Sequence, residues 1–238
     1  MVNEAGFTRS KADPCVYIRS ENEKIIIMAL FVDDQLIVHN DEVGVAKLIE
    51  LMDSRFEITD LGEPKRILGM RLRRGQDGRS ISIDQETYID ELARIFNLRQ
   101  SPKRFNSPYG ASSENHLGYC PKTPEQRQEM ENIPYAKLIG SLLWISTRTR
   151  PDIAQIVGVL CRYTQEPGLG HWHMAERVLQ YLIDTKDLTL VFQHQTSVPI
   201  PVGYVDSDYA NDPMTRRSIT GFIFLMAGAP ISWKSQGK

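Results

Sequence analysis

Two adjacent carboxylates, Asp33 and Asp34, stand between two apolar runs at residues 25–31 and 35–39. This pattern predicts two buried antiparallel strands joined by a short turn, with the carboxylates at the tip of the hairpin. Two-residue hairpin turns favour Asn or Gly because their backbone needs a positive φ, so the β-branched Val32 is an unfavourable choice there. Adjacent carboxylates repel each other, and a divalent cation such as Mg²⁺ relieves that repulsion. The pair is therefore either a metal-binding site or, more simply, a solvated acidic turn.

A further carboxylate of interest, Asp206, lies in the segment YVDSDYA. The segment is typical of a strand that ends in acidic residues. Taken alone, such a strand end is more often a turn than a site.

Basic residues are concentrated between positions 65 and 79, where six Lys or Arg residues are accompanied by one acidic residue, Asp77. We call residues 65–79 the basic segment. Such a patch can follow a phosphate backbone without reading its sequence, and the binding weakens as salt rises. The alternative is an ordinary solvated surface of strands and loops. The six basic residues are Lys65, Arg66, Arg71, Arg73, Arg74 and Arg79.

The elements that would hold these residues follow from the spacing of the apolar positions. After the hairpin, apolar residues recur at helical spacing over residues 45–56, with Asn40 or Asp41 as the N-cap. Short strands punctuated by glycine then run to about Ile83, and Asp84 is predicted to cap a second helix.

The second half of the chain is predicted to be a loop, a helical layer and a group of strands. Residues 106–132 are rich in Ser, Asn, Pro and Gly without a sustained period, which indicates a long surface loop or linker. Three amphipathic helices are predicted at residues 134–148, 151–164 and 171–185. After them, PIPVGYVDSDYA, SITGFIFLMAG and PISWKS predict three strands that form a second fold unit.

Several residues in the predicted helices have simple structural explanations. Trp144 and Trp172 are predicted to lie in the core. His171 and His173 are two residues apart and therefore do not share a helix face, which argues against a metal site there.

The composition indicates the cellular compartment of the protein but says little about its activity. The chain has 238 residues, a net charge of −2 and a charged fraction of 24%, so a polyanion would need a local basic patch. Three widely spaced cysteines without a C-x-x-C motif predict a reducing compartment and no structural zinc. No apolar run approaches the roughly 18–20 residues of a membrane span, and the first residues lack the apolar core of a signal peptide. We therefore expect an intracellular protein, cytoplasmic or nuclear, that is neither secreted nor membrane-bound.

A series of motifs occurs in one order along nearly the whole chain. FVDD resembles the aromatic-x-Asp-Asp hairpin signature of reverse transcriptases, and GFTRSKADPCVY precedes it. LGEPKRILGMRL, YAKLIGSLLWISTRTRPDIA, HWHMAERVLQYL and GYVDSDYANDPMTRRSITGFIFLMAGAPISWKSQ follow it. Together these motifs resemble the polyprotein of Ty1/copia-class LTR retrotransposons.

The resemblance implies an α+β fold with three parts. Residues 1–105 would be the C-terminal part of a polymerase palm, made of antiparallel hairpins with packed helices, and the start of the thumb. Residues 106–186 would be a loop and the helices of the thumb and connection. Residues 187–238 would be the first strands of a truncated ribonuclease H-like sheet.

The resemblance also implies roles for the acidic residues. Asp33 and Asp34 would be two of three carboxylates that bind Mg²⁺ in a two-metal polymerase site, with Asp33 the more directly catalytic. Phe31 stands before Val32 where the family more often has Tyr, which removes a hydroxyl but keeps the ring. Asp206 would bind Mg²⁺ in the ribonuclease H site.

The motif LGEPKRILGMRL would position the end of the primer, with Leu61, Gly62 and Gly69 as motif residues and the basic segment beside the nucleic acid. The implied partners are an RNA or DNA template-primer, deoxynucleotides and the missing segments of the polyprotein. The parent protein would extend primers and hydrolyse the RNA of RNA/DNA hybrids, both with Mg²⁺.

We expect this chain alone to be inactive at both sites. The third palm carboxylate is expected upstream of Met1, and the later ribonuclease H carboxylates are expected beyond Lys238. Two other interpretations stay open: a non-catalytic nucleic-acid-binding remnant that uses the basic segment, and a decayed transposon reading frame. In the last case the terminal strands would form an incomplete sheet with an unpaired edge and low solubility.

Overall fold

A computed structural model describes residues 5–102, 104–110, 116–208 and 218–237. These residues form α-helices and antiparallel β-sheets, which confirms the predicted mixture of helices and antiparallel strands. No helix among them is long and apolar enough to cross a membrane.

The chain divides into two compact units at Pro64, whereas the predicted boundaries lie after residues 105 and 186. The first unit, Met1–Pro64, is a four-stranded antiparallel sheet with the strand order β1-β2-β3-β4, followed by one helix. Its elements are β1 (Thr8–Arg9), β2 (Val16–Glu21), β3 (Lys24–Phe31), β4 (Asp34–His39) and α1 (Glu42–Asp53).

One face of this sheet is buried and the other is exposed. Ile26 and Met28 of β3 belong to one buried cluster with Leu48 of α1, because side chains alternate between the two faces of a strand. On the opposite face the register aligns Ile27 with Val38, and these side chains are 37% and 57% exposed. The prediction that both strands of the hairpin are buried is therefore wrong for one face.

The start of α1 is tied to the sheet by charge. Asp41 is the N-cap residue, but its carboxylate accepts a hydrogen bond from Lys24 at 3.0 Å and pairs with Arg19 at 3.5 Å. The hydrogen bond from Lys24 holds the pKa of Asp41 below its ordinary value. A Cβ atom at position 44 would overlap both the Asp41 carboxylate and the Arg19 guanidinium, so a side chain there would have to displace these two groups.

The second unit, Lys65–Lys238, begins with strands of a second antiparallel sheet. Its strand order is β5-β6-β7-β8, and β8 comes from a part of the chain more than 100 residues beyond β7. A strand from the region that was predicted to open the ribonuclease H part therefore completes this sheet. The strands are β5 (Arg66–Ile67), β6 (Met70–Arg74), β7 (Ser80–Asp84) and β8 (Leu190–Gln193).

In the part of the second unit that the structure describes, five α-helices pack together and form the core. Three of them confirm the predicted helices to within a few residues, although the middle one opens with a 3-10 turn at Pro151–Ile153. The helices are α2 (Glu86–Ile95), α3 (Pro124–Met130), α4 (Tyr135–Arg148), α5 (Ala154–Cys161) and α6 (Leu169–Asp184). The most deeply buried core residues are Leu138, Leu142, Ile145, Ile153, Val157, Leu160, Ala175, Val178, Leu179 and Leu182.

Two expectations for the helical region change. Residues 106–132 are not all irregular, because a 3-10 turn (His116–Tyr119) and α3 lie within them. Thr123 and Gln126 form a capping box that starts α3. Trp172 packs against the core as predicted, but Trp144 is only partly buried and lies outside it.

Strands β9 (Val202–Asp208), β10 (Ile219–Met226) and β11 (Ala229–Gly237) form a third antiparallel sheet in the order β11-β10-β9. The last two residues of the predicted strand PIPVGYVDSDYA lie outside the described residues. The indole N–H of Trp233 in β11 donates to the carbonyl of Ser146 in α4 at 2.7 Å. The terminal strands therefore pack on the helical layer within one compact unit, and do not form a separate one.

Candidate metal-binding hairpin and nucleic-acid interface

Val32 and Asp33 form the two-residue turn that joins β3 to β4. Val32 has a φ of +53°, and it is the only β-branched residue among the described non-glycine residues with a positive φ. A residue held in such a conformation costs about 1–3 kcal/mol, and strain of this kind concentrates at functional sites. The conflict between turn geometry and residue type that the sequence indicates is therefore present in the structure.

Asp34 lies on the exposed face of the first sheet. It pairs with Phe31 across the hairpin, and alternation along β4 places it on the same face as Val38, opposite the face that α1 covers. Asp33 is exposed in the turn itself, so solvent reaches both carboxylates. A metal ion or a substrate could approach them without any movement of the first unit.

The hairpin fits part of a divalent-cation site. Asp33 and Asp34 supply hard oxygen ligands of the kind that Mg²⁺ prefers. Within the described ranges, however, no group of three or more His, Cys, Asp or Glu side chains is placed to hold an ion. The two carboxylates could therefore hold Mg²⁺ only with water, substrate phosphates or a further protein ligand.

The basic segment is partly neutralised within its own sheet. In the ladder between β6 and β7, Arg71 stands opposite Asp84, and Arg73 lies two residues along on the same face. The Nη2 of Arg73 donates to Asp84 at 3.0 Å, and the Nε of Arg71 donates to it at 3.2 Å. The Asp84 side chain is only 1% exposed, so these contacts occupy the carboxylate fully.

Asp84 does not have the predicted position. Gln85 is the N-cap residue of α2, and Asp84 is the last residue of β7. The Asp84 Oδ1 still accepts a hydrogen bond from the backbone N–H of Glu86 at 3.1 Å. Glu86 also accepts a hydrogen bond from Arg71. Burial of the Arg71 guanidinium lowers its pKa, but the carboxylates of Glu86 and Asp84 outweigh this effect, so the pKa lies above its ordinary value.

The remaining basic residues of the segment do not share one face. Arg66 pairs with Arg71 across β5 and β6, whereas Arg74 points to the other face because side chains alternate along β6. Lys65, Arg66 and Arg79 are exposed.

The motif LGEPKRILGMRL crosses the boundary between the two units. Leu61 is 86% exposed and Gly62 has a φ of +65° in the first unit. In the second unit, Leu68 and Gly69 form the turn between β5 and β6, with φ values of +48° and +77°. Gly69 suits this turn because glycine adopts a positive φ without steric cost.

Asp206 lies in β9, opposite Gly221 of β10, and is exposed. Its Oδ1 accepts a hydrogen bond from the backbone N–H of Ser207 at 2.9 Å. Asp206 belongs to the second unit, while Asp33 and Asp34 belong to the first.

A further surface, on α4, was not identified from the sequence. At 100° per residue, Lys137, Gly140, Ser141, Trp144 and Arg148 fall within one stripe of the helix, away from its buried side. We call these five residues the α4 outer face. The Arg148 guanidinium lies 4.4 Å from the centre of the Trp144 ring, and α4 contains no acidic residue. A helical plot of the polar positions would have revealed this stripe.

Gly140 has no steric reason to be glycine within the described structure. A Cβ atom there would meet no other atom within 4 Å. Glycine in a helix interior costs about 1 kcal/mol relative to alanine, and the open space at Gly140 leaves room for a close approach to this side of the helix.

Comparison with known proteins identifies relatives of the chain. Residues 1–106 match the family described as reverse transcriptase (RNA-dependent DNA polymerase). The retrovirus-related Pol polyprotein from transposon TNT 1-94 of Nicotiana tabacum is 38% identical over 232 residues, which are 97% of this chain. The comparisons support a fragment of a Ty1/copia-type retrotransposon polyprotein. This similarity over nearly the whole chain confirms the resemblance drawn from the order of the motifs.

Other members of the family are also similar over nearly the whole chain. A putative transposon Ty5-1 protein of Saccharomyces cerevisiae is 27% identical over 99% of this chain and 73% of its own length. The Pol polyprotein from transposon RE2 of Arabidopsis thaliana is 29% identical over 97% of this chain. The chain spans 17% of the tobacco polyprotein and 15% of the Arabidopsis one. No solved structure matches the chain.

Proposed function

We propose that Asp33 and Asp34 are two of the carboxylates that bind Mg²⁺ during nucleotidyl transfer by the parent polyprotein. The observation that carries this proposal is the hairpin tip, where a strained Val32 presents two exposed carboxylates on the open face of the sheet. The substrates of the parent polyprotein would be deoxynucleotides and an RNA or DNA template-primer. A third carboxylate would come from another segment of the parent protein.

Within such a site, the residues of this chain would hold the metal ions and orient the end of the primer. The turn fixes Asp33 and Asp34 next to each other, and Phe31, paired with Asp34, borders the space where the primer end would lie. Bound Mg²⁺ ions would activate the primer hydroxyl and stabilise the charge that develops on the transferred phosphate.

The functional parts proposed for the chain are those of the family. Residues 1–105 would supply palm and the start of the thumb, residues 106–186 thumb and connection, and residues 187–238 the first ribonuclease H strands with Asp206. The pairing of β8 with β7 gives a physical link between the last part and the first.

Purified chain is expected to show no Mg²⁺-dependent primer extension, because two carboxylates alone hold the ions weakly. Mn²⁺ should bind at millimolar concentration and broaden the NMR signals of the hairpin. Asp33→Asn with Asp34→Asn should abolish this broadening, whereas Asp60→Asn in the same unit should not.

Primer extension by the chain that disappears in Asp33→Asn would contradict the expected inactivity. Mn²⁺ broadening of the hairpin that survives the double substitution would contradict the assignment of the ligands.

A second candidate function is metal-independent nucleic-acid binding, which the α4 outer face favours. A partly exposed tryptophan beside a guanidinium can stack on bases or sugars, and the unobstructed Gly140 admits a backbone closely. Binding in the presence of EDTA should weaken as salt rises. Affinity that is independent of salt would remove this function.

Gly140→Ala tests the α4 outer face as an interface, because it should raise the stability of the chain and lower its affinity for nucleic acid. The free energy of unfolding should rise by about 0.5–1 kcal/mol, because alanine is the better helix former and the added methyl group has space. Affinity for a duplex should fall in a mobility-shift titration. Gly158→Ala is the matched control on α5, where the Cβ atom would make an ordinary contact at 3.9 Å, and it should not change affinity. Equal affinity of the Gly140→Ala chain and the original chain would contradict the interface.

A further inference from the structure

A small cavity in the second unit is unconnected with the residues assigned above. Its volume is about 170 Å³, and its lining includes Arg177, His173 and Met174 of α6 together with Tyr119 and Pro108. Arg177 and His173 are four residues apart, so they lie one above the other on the same side of the helix. The described residues that line the cavity include no carboxylate.

The guanidinium of Arg177 is held in place but is incompletely hydrogen-bonded. It lies 4.5 Å from the centre of the Phe105 ring, and its Nη2 donates a long hydrogen bond of 3.5 Å to the carbonyl of Ser107. Its Nε is buried and has no hydrogen-bond partner among the described residues. A buried donor without an acceptor costs about 1–3 kcal/mol. Because solvent does not reach Nε in this arrangement, a ligand relieves that cost only by drawing the guanidinium toward itself.

The volume of the cavity limits what can enter it. Sites for small organic molecules usually measure about 300–1,000 Å³, so a nucleoside is too large for this one. A water molecule occupies about 30 Å³ of the liquid, so the cavity has room for a few waters or for one tetrahedral oxyanion. A guanidinium matches the oxygens of a phosphate through parallel N–H donors.

We propose that this cavity binds a phosphate group through Arg177, with His173 beside it. The phosphate could be free inorganic phosphate or a phosphate of a nucleic-acid strand, which share the same chemistry. The proposal does not depend on the metal-binding hairpin or on the α4 outer face.

Calorimetric titration of the full chain with inorganic phosphate, at constant ionic strength, tests the proposal. Saturable binding is expected, and Arg177→Gln should weaken it at least tenfold. Arg127→Gln is the matched control, because Arg127 is an exposed arginine on α3 that pairs with Glu166 and does not line the cavity. Phosphate binding that is absent, or equally strong in the Arg177→Gln and Arg127→Gln chains, would overturn the proposal.

Gly110→Ala provides a second test if Arg177→Gln reduces folding. The added Cβ atom would lie 3.2 Å from Cδ and 3.3 Å from Nε of Arg177, so it should displace the side chain by a few tenths of an ångström. The affinity for phosphate should fall, while the melting temperature of the chain should not change. An affinity equal to that of the original chain would count against the site.

Oligothymidines with and without a 5′-phosphate separate the two sources. Displacement of inorganic phosphate by the unphosphorylated strand indicates a backbone phosphate, and displacement by the phosphorylated strand alone indicates a terminal one. If neither displaces it, the ligand is free phosphate.

Discussion

Two regions of the second unit carry positive charge in different ways. In the basic segment, Arg71 and Arg73 donate to the buried carboxylate of Asp84. On the α4 outer face, Lys137 and Arg148 lie on a helix that has no acidic residue. The first region has the higher density of basic residues along the sequence, yet a buried carboxylate neutralises two of its arginines, whereas the second has no acidic residue on its helix.

The difference arises from the geometry of strands and helices. Along β6, side chains alternate, so neighbouring arginines such as Arg73 and Arg74 point to opposite faces. Along α4, residues three or four apart share a face, so Lys137, Trp144 and Arg148 gather on one stripe. Charge counted along a sequence therefore overestimates what a strand offers to a phosphate backbone and underestimates what a helix offers.

The largest expected effect comes from the carboxylate that neutralises β6. Asp84→Asn should lower the free energy of unfolding by about 2–3 kcal/mol, because two guanidinium groups lose their buried partner. The cost stays below that of a fully buried pair, since the Arg71 and Arg73 side chains are 29% and 50% exposed. Urea denaturation measures the change.

Glu91→Gln, an exposed substitution on α2, is the control and should change stability by no more than about 0.5 kcal/mol. If Asp84→Asn is no more destabilising than this control, the arginines of β6 are not held as described. In that case the two regions would not differ in available charge.

The same contrast shows what the sequence could and could not predict. The hairpin around Asp33 and the strain at Val32 were predictable, because turn chemistry and apolar runs are local signals. The helices α4 and α6 were predictable from their periodicity. The start of α3 also had a local signal, the capping box of Thr123 and Gln126, which the polar composition of the region concealed.

The missed features depend on contacts between distant parts of the chain. Pairing of Arg71 with Asp84 depends on the register of β6 and β7, and the pairing of β8 with β7 joins segments that are more than 100 residues apart in the chain. The exposed face with Ile27 and Val38 depends on α1 covering only one side of the sheet. A list of apolar residues does not contain this information.

The next largest expected effect comes from replacing Trp144 on the α4 outer face, with Trp172 of the core as the comparison. Trp144→Ala should weaken binding to single-stranded nucleic acid by about 1–2 kcal/mol, because a base would lose its stacking partner. Its effect on stability should be small, since Trp144 lies outside the core. Trp172→Ala, which removes a side chain packed on the core, should lower stability without a specific loss of affinity. Equal loss of affinity in both variants would indicate that Trp144 acts only through the fold.

The smallest expected effect is on the salt dependence of nucleic-acid binding, which should differ between replacement of Arg148 on α4 and replacement of Arg73, which is paired with Asp84. Each phosphate contact contributes roughly 0.7–0.9 to the slope of log Kobs against log salt. Arg148→Gln should therefore reduce the slope by about that amount. Arg73→Gln should leave the slope nearly unchanged, because Arg73 is already paired with Asp84 at 3.0 Å. The opposite result would mean that Arg73 leaves Asp84 when nucleic acid binds, and β6 would then be the main phosphate-binding surface of the two.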